Sequence, residues 1–412
     1  MLQLFKDKNF IRLCMAAFFM SSCLQLIWVV MPFVVKAMEG SDTEVGLCFM
    51  GQMGVYVVFC VIAAIAIHRL KPKKVLLAST AVQTVIVCTM YMVIKGGSRL
   101  YFSPIMQLVL LMSFIGLITA FYWPVLMGWI STGHEGTELT KRFGFYNVTW
   151  GMANMLLPIV GGYLMEINYL MPIAAAVIMM ILCMGSVATI QKTRVGAKIE
   201  AIKQAEVSDK LNPAQRQFVF MSKVALFAVF VCVGIFRSQL GILYKYELGF
   251  SESIYGWSIS LMCLFNVIFF YIMGRGHWWH YKKGFFVASQ VLTVVCLVMI
   301  VLSRNLFVQL AAAGLTGITY AAAYSSHQYY GVSGGKNRSR LMAIHEIILG
   351  AGYASGSLLG GVFSDHFGRN WPYIFGAIVI AAAGVIQISI WFALKRNQNS
   401  SNAHTSFLTS PT

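Results

Sequence analysis

Residues 10–36 read FIRLCMAAFFMSSCLQLIWVVMPFVVK. The stretch is apolar almost throughout, with Arg12 near its start, Gln25 in its middle and Lys36 at its end. About 20 apolar residues in helical form cross the ~30 Å hydrocarbon layer of a bilayer, so this segment is long enough to span it. It is too long for the apolar core of a signal peptide, and no Ala-x-Ala pattern follows it. A retained first helix is therefore predicted. Working outward, the pattern recurs at about 45–67, 74–95, 103–130, 143–165 and 170–190. It returns at 217–244, 253–274, 284–303, 305–330, 340–363 and 372–394. Twelve such spans leave almost no room for a soluble domain. They predict an all-α, multi-pass integral membrane protein surrounded by membrane lipids.

Composition agrees: 58% of the 412 residues are hydrophobic and 11% are charged, against roughly 25% charged in soluble domains. The formal net charge of +17 would suit a nucleic-acid partner. Here the basic residues sit in loops beside the spans, which is a topology signal instead. Of 31 Lys and Arg, only Lys36, Lys95, Arg99, Arg237, Lys245, Arg304 and Arg369 fall on one side or inside the spans. The rest gather on alternate loops and at the two ends, as in the run from Arg69 to Lys74. The positive-inside rule then places both termini in the cytoplasm, with the inner membrane as the location in a bacterial cell. All nine cysteines lie within spans, with no Cys-x-x-Cys pair, and read as small packing residues.

The polar segment from Gln191 to Arg216 is too short to fold as a domain and reads as a linker. It divides the chain into a half at 1–190, a linker at 191–216, a half at 217–394 and a tail at 395–412. The halves repeat one another. Ser41-Asp42-Thr43 with Gly46 opens the second span, and Ser251-Glu252-Ser253 with Gly256 opens the eighth, an offset of 210. Small or acidic residues there suit a helix start. Gly161-Gly162 near the end of the fifth span matches Gly360-Gly361 near the end of the eleventh, an offset of 199. In that register Gly151 matches Gly350, Ala153 matches Gly352 and Asn147 matches Glu346.

On these features the sequence resembles the major facilitator superfamily over nearly its whole length. The fifth span carries Gly144, Ala153, Leu157-Pro158 and Gly161-Gly162 where that family's antiporter-type motif has Gly-x8-Gly-x3-Gly-Pro-x2-Gly-Gly. Two glycines are replaced, so the match is partial. The family's signature between spans two and three is eroded to Ala64, His68, Arg69, Lys71, Pro72 and Lys73, with His68 in place of an aspartate that helps latch the cytoplasmic side. The resemblance implies two pseudo-symmetric six-helix halves around a central cavity lined by spans 1, 2, 4, 5, 7, 8, 10 and 11.

Enzymatic motifs are missing. Tyr330 to Asn337 holds Gly335-Lys336 but has Tyr and Asn where a phosphate-binding loop needs Gly and Ser or Thr. His134-Glu135 and His345-Glu346 lack the second His of a zinc protease, since Glu138 and Leu349 stand there. No cofactor, metal site or enzymatic activity is expected.

Polar groups inside a bilayer usually face the bundle interior or a water-filled cavity. Candidate solute contacts are Gln25, Gln52, Tyr56, Tyr122, Asn147, Trp150, Asn154, Arg237, Asn266, Tyr320, Tyr324 and Tyr353. They fall on helix faces at spacings of three, four or seven, with Trp28, Trp129, Ser258, His327 and Ser357 beside them. Every such face belongs to a span in the implied cavity set. Glu346 is the candidate proton-coupling residue, near the inner end of its span, and Arg237 lies nearer the outer end. His345 lies on a different face, in line with Gly352 and Gly356, which favours packing over proton transfer. The expected function is secondary active transport of a small organic solute by alternating access, with export favoured by the partial antiporter motif. Proton-coupled uptake, and a receptor or scaffold that kept the fold, are the alternatives.

Overall fold

The computed structural model describes residues 7–66, 71–96, 102–131, 136–191, 213–332 and 338–408. The readings on His68 and Arg69, and on most of the linker, lie outside the described residues. Twelve helices follow in order: α1 Lys8–Ala37, α2 Asp42–Ala66, α3 Pro72–Ile94, α4 Pro104–Ser131, α5 Gly136–Ile167 and α6 Leu170–Ala188, then α7 Pro213–Tyr246, α8 Glu252–Gly274, α9 Lys283–Leu302, α10 Leu306–Val332, α11 Arg338–Phe367 and α12 Trp371–Leu408. Each contains a stretch long and apolar enough to cross a membrane.

The helices overrun the apolar spans where the sequence offers no breaker. α7 begins at Pro213 rather than at 217, with proline in the first helical position that it favours. α12 continues to Leu408, although its apolar stretch ends at Ile390. No Gly or Pro interrupts the chain between Gly384 and Pro411, so nothing stops the hydrogen-bond ladder there.

Packing repeats with the sequence. In the first half α1 packs on α5 and α6, α2 on α4, and α3 on α4 and α6. In the second half α7 packs on α11 and α12, α8 on α10, and α9 on α10 and α12. Adding six to each label turns one set into the other, so the halves are pseudo-symmetric copies. They meet chiefly along two seams, α2 with α11 and α5 with α8, which the same operation exchanges.

Small residues make these seams possible. A Cβ on Gly46 of α2 would collide with the Ser357 carbonyl of α11, and one on Gly256 of α8 with the Pro158 carbonyl of α5. The two glycines are the repeat partners read from the sequence. With so little side chain between them, the backbones come close enough for van der Waals packing, the main attraction between helices in lipid. Both contacts lie toward the end of the bundle that carries the α1–α2 and α7–α8 turns, here termed the distal end; the N-terminus marks the proximal end.

Candidate functional site

Four helices converge on Arg237. This residue sits on α7, between the halves, and is 6% exposed. Its guanidinium donates to Gln25 Oε1 of α1 at 2.8 Å. The Gln25 amide nitrogen in turn donates to Asn154 Oδ1 of α5 at 2.9 Å. One helical turn along α1, the Trp28 ring lies 5.4 Å from the guanidinium carbon. Trp28 Nε1 then donates to Gln52 Oε1 of α2 at 2.7 Å. The Tyr255 hydroxyl of α8 donates to the Arg237 carbonyl at 2.9 Å, fixing the backbone beneath. A chain of polar contacts thus runs from the first half into the second through one buried cation. Among the described residues the guanidinium makes no ion pair; a neutral amide and an indole face hold it. A buried charge so weakly compensated is costly, and such residues in membrane spans mark solute or ion pathways.

An aromatic group stands beside this cluster. Phe230 of α7 packs on Tyr320 and Tyr324 of α10, with ring centroids 5.1 and 6.5 Å away. Phe270 of α8 closes the group at 6.3 and 5.7 Å from the same two tyrosines. Tyr353 of α11 faces Phe49 of α2 across the seam at 6.4 Å. The Tyr353 hydroxyl and the Asn266 amide nitrogen are buried with no hydrogen-bond partner among the described residues. Leaving such a group unpaired costs roughly 1–3 kcal/mol, which a polar solute group or water would relieve. Toward the proximal end, the Tyr56 hydroxyl of α2 donates to Glu346 Oε2 of α11 at 3.2 Å, a second polar link between the halves.

Two groups of predicted residues stand apart. Tyr122 of α4 is fully buried, and its hydroxyl donates to the Ala16 carbonyl of α1 at 3.0 Å beside Cys183 of α6. Its observed contacts hold the first half together and do not join the Arg237 cluster. Asn147 and Trp150 lie two turns and one turn from Asn154 on α5 and bond each other at 3.1 Å, with Asn147 exposed. A groove between α9 and α10, lined by Val294, Val298, Leu302 and Val308, is apolar and outward-facing and offers none of this chemistry. Among the described residues no cluster of three His, Cys, Asp or Glu side chains is arranged to hold a metal.

A second polar constellation, whose acidic residues Asp42 and Glu252 the sequence marks only as helix starts, lies at the distal end. Asp365, at the end of α11, accepts from the Asp42 and Thr43 backbone amides at 2.9 and 2.8 Å, capping α2 from the other half. Asp42 pairs with Lys36 at 2.8 Å and lies 3.8 Å from Arg369, and Ser364 donates to it at 2.5 Å. Across the pseudo-twofold, Glu166 at the end of α5 accepts from the Ser253 amide at 3.2 Å, capping α8. Glu252 pairs with Lys245 and accepts from the Tyr169 hydroxyl. Burial and the neighbouring Glu252 raise the Tyr169 phenol above its ordinary range, against the pull of Lys245, so it remains a donor. Ser251, expected to cap α8, makes no side-chain cap bond; the carboxylate of Glu166 stands in for it. The acidic residues repeat at the two offsets already noted, Asp42 with Glu252 and Glu166 with Asp365, and that was the available signal.

Comparison with known proteins agrees with this architecture. The family model described as Major Facilitator Superfamily matches residues 13–244 and 224–409. No curated protein matches the sequence. Among solved structures, a bacterial homologue of the human lysosomal transporter Spinster, inward-facing and occupied, superposes with a TM-score of 0.69 at 12% identity, covering 95% of this chain and 97% of that one. The nucleoside transporter NupG gives 0.70 at 10% identity, over 94% of this chain and 99% of its own. A POT family transporter in complex with a thioalcohol-conjugated peptide gives 0.71 at 11%, over 92% and 95%. Identities this low establish a shared fold only.

Proposed function

The chain belongs to the Major Facilitator Superfamily, and from that premise we propose that it carries out secondary active transport of a small organic solute bearing an anionic or strongly polar group, bound at the Arg237 cluster. It is a multi-pass membrane transporter rather than an enzyme. The observation that carries the solute class is the buried guanidinium of Arg237, held by Gln25 and Trp28 between the two halves with no ion pair among the described residues. Gln25, Gln52 and Asn154 supply further donors and acceptors, and Tyr320, Tyr324, Tyr353 and Phe230 an aromatic wall. Arginine suits this task because its planar fork recognises carboxylate or phosphate through two parallel bonds.

Alternating access follows from the same arrangement. The distal end is tied by two symmetric carboxylate caps, and the state with these caps made and the state with them parted are the two ends of a rocking motion. The basic loops support a cytoplasmic proximal end, with both termini inside. The partial glycine motif on α5 favours export. Proton-coupled uptake is the second reading, and Glu346 supports it: an acidic side chain within a span, bonded across the seam to Tyr56. The test is a thermal-stabilisation screen of the purified protein against anionic, zwitterionic, neutral and cationic metabolites, followed by flux of the hits in proteoliposomes. Stabilisation by anionic or zwitterionic compounds, with flux that follows a solute or pH gradient, is the expected result. Binding without any flux would make the protein a receptor on a transporter fold.

A further inference from the structure

Two histidines remain outside the Arg237 cluster. His327, near the proximal end of α10, and His345, near the proximal end of α11, are 1% and 0% exposed. Their rings stack with centroids 4.9 Å apart, and their Nδ1 atoms are 2.8 Å apart. The Tyr324 ring stands edge-on to His345 at 4.7 Å, and His327 packs against Gly331. The sequence favours packing over proton transfer for His345; the ring meets a second histidine on α10. Both Nε2 atoms are buried with no hydrogen-bond partner among the described residues.

The chemistry of that contact is restrictive. A hydrogen bond between two Nδ1 atoms needs one hydrogen, so one ring carries Nδ1–H and has a bare Nε2, while the other has a bare Nδ1 and carries Nε2–H. A proton added to the bare Nε2 of the donor ring makes an imidazolium whose Nδ1–H still donates to its neighbour. The contact survives and becomes charge-assisted, hence stronger. A second proton would place hydrogen on both Nδ1 atoms and break it. The pair is therefore built to accept one proton, with the two rings titrating as a unit.

Its surroundings hold no counter-ion for that charge among the described residues. The titratable groups near it are Lys223 of α7, which is cationic, Tyr324 of α10, and Glu346, the next residue on α11, whose carboxylate bonds Tyr56 of α2. In the 199-residue register that relates α5 to α11, the position of His345 is occupied by Tyr146. The fold thus does not require histidine at that position.

We infer that His327 and His345 form a one-proton site in the second half, and that filling it favours the arrangement in which the two halves part at their proximal end and water reaches the rings, the contact between the rings staying intact. Differential affinity for two states is what allows a proton to shift an access equilibrium. The first statement stands on the pair's geometry alone; the second rests on the alternating-access reading.

The test uses the full chain in lipid nanodiscs with 15N-labelled histidine. As pH falls from 8 to 3, the imidazole resonances of both rings are expected to move together in one step that takes up a single proton. In His345→Asn the coupled step at His327 is expected to disappear. Rings that stay neutral throughout, or that titrate independently, overturn the proton site. Spin labels attached through noncanonical residues at Lys141 and Gln328, exposed proximal positions on α5 and α10, read the second statement. Their separation is expected to lengthen with the same midpoint, and to lose its pH dependence in His327→Asn/His345→Asn. A lengthening that persists in the double variant overturns the linkage and leaves the proton site standing.

Discussion

At the scale of the residue, the site depends on how one charge is held. Arg237 is fixed by a neutral amide and an indole, so removing it leaves no unpaired carboxylate behind. Arg237→Ala is expected to weaken solute binding roughly ten- to hundredfold, the span of ~1.5–3 kcal/mol for a hydrogen bond to a charged group. Arg237→Lys keeps the charge but loses the fork, and should fall between. The concentration of a screened solute that gives half-maximal thermal stabilisation measures both; unchanged values for Arg237→Ala would remove the residue from the site. Glu346→Gln keeps an acceptor for Tyr56 but holds no titratable proton, so solute exchange should persist while dependence on a pH gradient is lost. Full gradient-driven transport by that variant would exclude Glu346 from coupling. Asp7 shows the same logic in a structural setting. Its carboxylate caps α1 through the Phe10 amide at 3.0 Å and pairs with Arg142 of α5 at 2.8 Å. Burial alone would raise its pKa, but the Phe10 amide and Arg142 together hold it below the ordinary range. A carboxylate depressed on folding stabilises above its unfolded pKa of about 3.9, and that contribution fades as pH falls through the lower, folded value. Asp7→Asn should therefore lower the melting temperature at pH 7, and the gap to wild type should close below about pH 4. Asp7→Ala loses the cap as well, a further ~1 kcal/mol. A gap that is constant from pH 7 to pH 3 would show that the Arg142 pair contributes nothing.

At the scale of the element, the helices were readable because the bilayer imposes the pattern. Each must present an apolar surface some 20 residues long, and hydropathy records that directly. The small-residue strip of Gly352, Gly356 and Gly360 was legible for a related reason, since close helix approach in lipid needs missing side chains. The structure shows what the strip meets. A Cβ on Gly356 would collide with the Val231 carbonyl of α7, and one on Gly352 would come within 2.6 Å of the Phe227 carbonyl. Gly356→Leu should therefore separate α11 from α7 and lower the melting temperature and folded yield, by more than the ~1–3 kcal/mol of ordinary overpacking because backbone must move. An unchanged melting temperature would mean that this face yields without cost. Partners between helices were not legible. Ser251 looked like the cap of α8, but Glu166 fills that role from another helix, and nothing in the local sequence announces it. His345 looked like a packing residue because its own helix offers glycines on that line; its partner His327 lies on α10. Tyr122 had the right span and polarity, yet its hydroxyl bonds the Ala16 carbonyl inside the first half. Periodicity gives the face of a helix, whereas rotation and register come from packing against neighbours.

At the scale of the whole molecule, the twofold relation explains the few basic residues on the distal side. Lys36, Lys245, Arg304 and Arg369, four of the seven outside the basic loops, form ion pairs with Asp42, Glu252 or Glu247 there. A reporter fused after Arg396 should accordingly be cytoplasmic and one inserted between Gly96 and Gly97 external; the opposite result would invert the orientation. The same distal residues carry the strongest mechanical consequence. Asp365 and Glu166 each place a carboxylate from one half on a helix N-terminus of the other, where the amide dipoles favour negative charge. Opening the distal end must break both caps at once, since the pseudo-twofold makes them equivalent, so they bias the access equilibrium without touching solute. A charge at a helix terminus contributes ~0.3–1 kcal/mol when exposed and up to ~2 when partly buried. Both carboxylates are exposed, so neutralising both, in Glu166→Gln/Asp365→Asn, should move the equilibrium toward the distal-open state by roughly three- to thirtyfold, at about 1.4 kcal/mol per tenfold. Labels at Glu39 and Asn370, exposed distal positions in opposite halves, would report a longer separation gaining population, with each single variant giving part of the shift. The glycine contacts of Gly46 and Gly256 remain in these variants, so the closed state stays accessible. If the double variant keeps the wild-type distance distribution, backbone packing along the two seams holds the distal end shut and the carboxylates serve only to satisfy the helix ends they cap.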